Sequence, residues 1–278
     1  MYTAITHAGP AHADEFIALA ILIGNNLISR IERRDPTEEE LNNPNIWVID
    51  VGGKHQPELR NFDHHGVPDT EGKCAFDLVL EHLGLREIAA KASPWLEFKS
   101  SIDCDGPKVT AEKFGMTVPT LYATLSPIET QLLKCFENYH YYDRSDWMFN
   151  AMALVGVGLI TYWDKFQHDL LKFEKAKPVC INDLLFLDFR DCGPLLDAVM
   201  TYHMDKVGAA GSITVDNRGP DREKRVVLYR HNDHPRVDFR RIDATRMHFV
   251  HHNGFIAKTL TGENSTQHIV DLLKVAVE

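Results

Sequence analysis

The stretch NFDHHGVP at 61–68 sets three side chains able to ligate a metal, Asp63, His64 and His65, side by side. Neighbouring residues point to opposite faces of a strand and diverge on a helix, so the triplet does not serve one packed surface. Groups of the same kind stand on either side of it. THAGPAHADE (6–15) supplies His7, His12 and Asp14; IDVGG (49–53) supplies Asp50 ahead of two glycines; SSIDCDGP (100–107) supplies one further acid, Asp103 or Asp105. Taken singly, each has an ordinary use: Asp14 and Glu15 suit a helix start, Asp50 a turn, a His pair a surface loop. Taken together they form a donor set of imidazole and carboxylate without thiolate, which suits Mn²⁺ and also fits Mg²⁺ or Co²⁺. His7, His12, Asp14, Asp50, His64, His65 and the further Asp exceed the needs of one ion and suit two. Two ions about 3.5–4 Å apart can share a water, lower its pKa and stabilise the attacking and leaving oxygens at phosphorus.

Positioning these groups requires a framework, and the first hundred residues supply its pattern. YTAIT (2–6) is β-prone, DEFIALAILIGNNL (14–27) has helical length and opens with acids, and ISRIER (28–33) and IWVIDV (46–51) follow as strands. The second of these is a continuous apolar run of the kind buried inside a parallel sheet. CAFDLVLEHLGL (74–85) reads as a further helix. The alternation predicts an α/β fold with helices on the faces of a parallel sheet. Sites in such sheets lie outside the carboxyl ends of the strands, which is where THAGPAHADE and IDVGG fall. SSIDCDGP reads as an acidic loop after a helical stretch. Residues 86–175 are mostly helical, and Pro178 ends the last helix there. The final third turns to short strands, ITVDN, RVVLYR and MHFVHH, and closes on the amphipathic helix STQHIVDLLKVAVE with Ser265 as its cap. Two domains are expected, 1–178 and 179–278.

Composition narrows the function classes. The chain has 278 residues, a formal charge of -10 and 15 His. The acidic balance argues against coating long nucleic acid by bulk electrostatics. Five scattered cysteines without a CxxC pair fit neither a zinc knuckle nor a disulfide framework. MYTAITHAGP lacks the pattern of a signal peptide, and the apolar run AMALVGVGLI (151–160) is too short to span a bilayer, so a cytoplasmic protein without membrane contact is expected. No GxSxG elbow, GxxxxGK[ST] loop or GxGxxG after a strand is present.

HAGPAHADE, RRDP (33–36), WVIDVGG and FDHH, in this order and spacing, resemble the melanocyte-proliferating-gene (Myg) family, a branch of the DHH phosphoesterase superfamily. FVHHNGFIAKT (249–259) is similar to the FVHxxGFIGGNKT stretch of that family, although it carries IAKT where relatives have two glycines and an asparagine before Lys-Thr. SSIDCDGP likewise departs from the usual IDNG pattern. The resemblance implies a DHH-like catalytic domain with a helical extension (1–178), a smaller α/β substrate-binding domain (179–278) and an active site in the cleft between them. It implies that His7 and His12 hold a first ion, Asp14, His64 and Asp103 a second, and that Asp50 bridges both. His65 would face substrate, and Asp63 would orient a neighbouring imidazole.

From 218 to 258 ten Lys or Arg stand against five acids, a balance of +5 within a chain of -10. Arg241, Arg246, His251, His252 and Lys258 are the expected substrate contacts, gripping phosphate beside the metals. The expected activity is a metal-dependent phosphodiesterase, a 3′ to 5′ exonuclease on short or single-stranded RNA or DNA that uses a hydroxide bridged by two Mn ions. The alternatives are a hydrolase of a small phosphate compound (pyrophosphate, a dinucleotide or a cyclic dinucleotide) and, from another class, a non-catalytic metal-stabilised binding module. A homo-oligomer is compatible with the sequence.

Overall fold

A computed structural model of the chain describes residues 2–216 and 225–278. These residues fall into two compact units, 1–164 and 165–278. The division comes earlier than the expected boundary near 178. Lys177–Ile181 pairs with the strand that follows it, so the segment around Pro178 already belongs to the second sheet.

In the first unit the elements run in the order β1 (Tyr2–Thr6), α1 (Ala13–Gly24), β2 (Ile28–Arg33), α2 (Glu38–Leu41), β3 (Ile46–Ile49), β4 (His55–Gln56), β5 (Asn61–Phe62), α3 (Ala75–His82), α4 (Arg86–Ala92), α5 (Trp95–Lys113), α6 (Val118–Thr124), α7 (Pro127–Glu137), β6 (Tyr141–Asp143) and α8 (Trp147–Leu170), whose last turns enter the second unit. The sheet order is β4-β5-β3-β1-β2-β6. The inner strands β5, β3, β1 and β2 are parallel, and β4 and β6 close the edges antiparallel. The sheet is therefore mixed, where an all-parallel one was expected. Its edge strands are only two and three residues long, which limits the row of open backbone groups each edge presents.

Strand β3 is apolar throughout and buried at Trp47, Val48 and Ile49, and Ala4 and Ile5 of β1 are buried beside it, as in strands covered on both faces. Helix α1 is apolar all round and buried from Asp14 to Ile23. It lies close to α8 at a pair of glycines. A Cβ added to Gly156 would stand 1.8 Å from the Ala20 carbonyl oxygen, and one on Gly24 would stand 2.6 Å from the Gly156 carbonyl carbon. The run AMALVGVGLI is thus a helix segment whose glycine lets two backbones meet. No helix among the described residues is long and apolar enough to cross a membrane.

One expectation is corrected here. SSIDCDGP is not a loop: Asp103 and Asp105 lie within α5, and the break comes after them, at Gly106 (φ 76°) followed by Pro107. The helical run of the middle region stops ahead of Pro178 as expected: α8 ends at Leu170, a 3-10 turn over Leu171–Lys175 continues it, and Pro178 falls in the edge strand Lys177–Ile181, a place in a sheet that tolerates proline.

The second unit continues with β7 (Lys177–Ile181), β8 (Leu184–Asp188), α9 (Asp197–Val207), β9 (Gly211–Asp216), β10 (Arg225–Arg230), β11 (Met247–Val250), β12 (Ile256–Thr259) and α10 (Thr266–Ala276). Its sheet, β11-β12-β10-β9-β8-β7, is antiparallel except for the β8/β9 pair, which α9 connects. Ile269, Leu272, Leu273 and Ala276 of α10 pack with Phe186, Ile213, Leu228 and Phe239 in one core. Ser265 caps α10, its side chain accepting the His268 N–H.

Candidate metal centre

Strand register brings the first groups together. Thr6 of β1 lies level with Ile49 of β3, and Ile49 lies level with Phe62 of β5. His7, Asp50 and Asp63 are the next residue of each strand, so three chemically active side chains leave the carboxyl edge of a parallel sheet in a row. β1 has neighbours on both sides, with the chain crossing from β2 to β3 past it, and that reversal is where ligand crevices open in α/β sheets.

Asp50 is the centre of the arrangement. Its backbone adopts φ 58°, a left-handed conformation costly for a residue with a Cβ. The turn is completed by Gly52 at φ 93°, packed so closely on Leu41 that a Cβ would come within 2.9 Å of it. The Asp50 N–H donates to the Phe62 carbonyl, while its carboxylate is buried with neither oxygen hydrogen-bonded. The two oxygens face different histidines: Oδ2 stands 3.4 Å from His7 Nε2 and Oδ1 stands 3.3 Å from His64 Nε2.

Around this carboxylate the other groups close in. His64 Nε2 is 3.1 Å from Asp103 Oδ2 and 3.9 Å from Asp14 Oδ2. His7, His12, Glu15 and Asp50 offer ligand atoms that all lie within 4.8 Å of one another, and so do His12, Asp14 and Asp103, as well as Asp50, His64 and His65. His7 Nε2, Asp14 Oδ1, both Asp50 oxygens, His64 Nε2 and Asp103 Oδ2 are buried atoms without a hydrogen-bond partner. Buried polar atoms are ordinarily paired, and so many orphans converging on one point fit a cation.

Electrostatics carry the same signature. Asp14 is held well above the usual carboxylate range, first by burial and then by the charges of Asp50 and Asp103. His7 is raised to about 10, chiefly by Asp50 and then Glu15. His64 is raised to about 12: burial pulls it down, but Asp103 and Asp50 outweigh that. Burial pushes Asp50 up, yet His64 and His7 hold it down to about 2. The protons kept on the imidazoles offset a surplus of negative charge that a divalent ion would neutralise.

The remaining members of the DHH triplet have different surroundings. Asp63 is buried, accepts the Gly53 N–H on Oδ2 (2.6 Å) and, on Oδ1, the His65 N–H (3.0 Å) and ring Nδ1 (2.9 Å). It thereby ties the turn after β3 to the turn after β5. The His65 side chain is 62% exposed. Asp105 accepts the Ser101 hydroxyl at 2.9 Å, so of the two acids in SSIDCDGP it is Asp103 that meets His64.

Several neighbours were not among the site residues expected from the sequence. Glu15 accepts the His12 backbone N–H through both oxygens (2.8 and 2.9 Å), capping α1, and also lies 3.3 Å from His7 Nε2. Its position three residues after His12 was the available signal. Arg33, of the RRDP segment, is fully buried; it donates to the carbonyls of Gly9 and Phe136 at 3.1 Å and braces the loop that carries His7 and His12. Cys104 lies beside His64 and Asp103. Its thiol is lowered to about 6, first by Cys74, against burial, and then by His64.

The expected phosphate contacts of the second unit are not gathered into one free cationic surface. Arg241 donates to the Ala276 carbonyl at 3.1 Å and pairs with Glu278, at the carboxyl end of α10. Lys258 pairs with Asp216, Arg230 with Asp233, Arg236 with Asp183 and Arg240 with Asp238. The His251 and His252 rings lie 4.2 Å apart, tilted by 35°, in the β11–β12 turn, and Arg246 precedes β11. Arg218, Arg222 and Lys224 of the basic window lie outside the described residues.

Residues 3–73 match the MYG1_exonuc family model, described as uncharacterised protein family UPF0160. Over this stretch the chain resembles the Myg family. The relatives include the MYG1 protein of Chlamydia trachomatis serovar D, 38% identical over 81 residues, and that of Chlamydia muridarum, 35% identical over 78 residues. In both, the match covers 28% of this chain and 27% of the relative, so it spans about a quarter of each. Among solved structures, a pGpG-specific phosphodiesterase, PggH, from Vibrio cholrae covers 99% of this chain at 13% identity, over 100% of its own length. Its TM-score of 0.35 is too low to carry an argument.

Proposed function

We propose that the chain is a divalent-cation-dependent phosphodiesterase that trims nucleotides from the 3′ end of short or single-stranded RNA or DNA in the cytoplasm. The observation that carries this reading is the bridging posture of Asp50, one bare oxygen toward His7 and the other toward His64. The exonuclease in the name of the matched family model supports the choice of reaction class.

In this reading His7, His12 and Asp50 would hold one ion, and Asp50, Asp14, His64 and Asp103 would hold a second, with Mn²⁺ the expected metal and Mg²⁺ or Co²⁺ the alternatives. Divalent ions there would lower the pKa of water and neutralise charge developing at phosphorus. The protein's own part is positional. Glu15 and Arg33 fix the His7–His12 loop, the β1/β3/β5 register sets Asp50 and Asp63, and Asp63 aims His65 outward as a hydrogen-bond partner for the substrate phosphate. Arg246, His251 and His252 of the second unit are the proposed substrate contacts.

A second reading has its own support. Arg230, Arg236, Arg240, Arg241 and Lys258 are paired with acids, and the chain is acidic overall, which favours a small phosphate compound over a long strand. The test sets an end-labelled oligonucleotide beside pyrophosphate and cyclic and linear dinucleotides, each with Mn²⁺. The expected result is stepwise shortening from the 3′ end, abolished in Asp50→Ala. Release from the small substrates alone would replace the nucleic-acid reading. Wild-type rates in Asp50→Ala would sink the mechanism.

A further inference from the structure

The donor set legible in the sequence has no sulfur, and the structure adds one. His64, Asp103 and Cys104 offer ligand atoms that all lie within 4.8 Å of one another. Cys104 Sγ lies 4.0 Å from Ser100 Oγ and also meets Cys74 and His64, whereas Cys74 is buried and lies 3.5 Å from Asp77. Two further side chains only 1% exposed stand beside the same imidazole: Asp50, with both oxygens unpartnered, and Asp14, with Oδ1 unpartnered. An ion gathered by His64 therefore meets the thiol as well as the carboxylates.

We propose that Cys104 is a direct ligand of the ion held by His64 and Asp103, making this position a mixed nitrogen, oxygen and sulfur site. The inference rests on the metal-centre reading above. As the sulfur–metal bond forms, the thiol proton passes to solvent, and the thiolate brings a preference for borderline and soft divalent ions, Co²⁺, Zn²⁺ and Cd²⁺, over Mn²⁺ and Mg²⁺. The partner position at His7 and His12 has no sulfur in its donor group and keeps the harder preference. The two ions would then differ in kind.

The full chain loaded with Co²⁺ tests this without any substrate. A thiolate bound to cobalt gives an intense near-ultraviolet charge-transfer band, while the weak visible bands report bound cobalt whatever its ligands. Wild type and Cys74→Ser should show both sets, and Cys104→Ser should lose the near-ultraviolet band and keep the visible ones. Competition should show the preference of wild type for Cd²⁺ over Mn²⁺ falling about tenfold or more in Cys104→Ser. Should that variant not fold, Cys104→Asp, which keeps a charged ligand, carries the same comparison. Visible bands without the near-ultraviolet band in wild type, or a band that survives the loss of Cys104, would overturn the thiolate assignment alone. The absence of any cobalt spectrum would overturn both it and the metal centre.

Discussion

At the scale of single residues the centre is a set of groups kept in conditions they would not choose unaided. Asp14 is 1% exposed, with a raised pKa and an unpartnered oxygen. An acid whose folded pKa lies above its unfolded one takes up a proton on folding. The metal-free protein therefore loses stability as the pH climbs from the ordinary 3.8 toward the folded value. Asp14→Asn should flatten that slope and raise the metal-free melting temperature at pH 8 by a few degrees, while weakening metal binding; a metal-free melting temperature that falls would refute the account. The histidines predict the opposite trend for the ions. His7 and His64 hold protons to about 10 and about 12, and an ion can bind only the neutral rings. Apparent Mn²⁺ affinity should thus rise between pH 6 and pH 8 with release of protons, measurable by calorimetry in buffers of different ionisation enthalpy. Affinity independent of pH would contradict the assignment of these two as ligands.

The elements explain why the centre survives such strain. Helix α1 carries Asp14 and Glu15 on its first turn and is buried along almost its whole length, so its position is fixed by packing and not by the charges it bears. The contact with α8 depends on Gly156, where an added Cβ would meet the Ala20 carbonyl, a backbone atom that cannot rotate away. Gly156→Val should destabilise the first unit by about 1–3 kcal/mol or more, read from chemical denaturation. Because α1 must move to make room, metal affinity should fall with it. A variant as stable as wild type would show that the two helices do not meet there. Much of this scale was open to inspection in the sequence. The apolar run IWVI had to be a central strand, acids at 14 and 15 had to begin a helix, and the exit of Asp50 from that strand followed. The acidic segment of α5 was misread because Asp-Gly-Pro punctuation looks the same after a loop as at a break between two helical halves.

The molecule as a whole is two units of different build, a parallel-centred sheet with helices and a mostly antiparallel sheet against α10. If the first unit gathers ions as proposed, they bind the folded chain alone and should stabilise it by mass action, about 2.7 kcal/mol at a hundredfold excess over Kd. Mn²⁺ should raise the melting temperature of wild type and leave that of Asp50→Ala unchanged; an equal shift in both would place the binding elsewhere. The amino-acid sequence by itself determined which residue types could do the chemistry and which strand ends would display them, because donor identity and hydrophobic period are local properties. Only the tertiary structure decided that Asp103 and not Asp105 meets His64, that Glu15 is shared between helix cap and centre, that Cys104 lies beside His64, and that Arg230, Arg236, Arg240, Arg241 and Lys258 are paired with acids. Those facts depend on strand register, helix break and long-range approach, and such contacts are fixed by the packing of the whole chain.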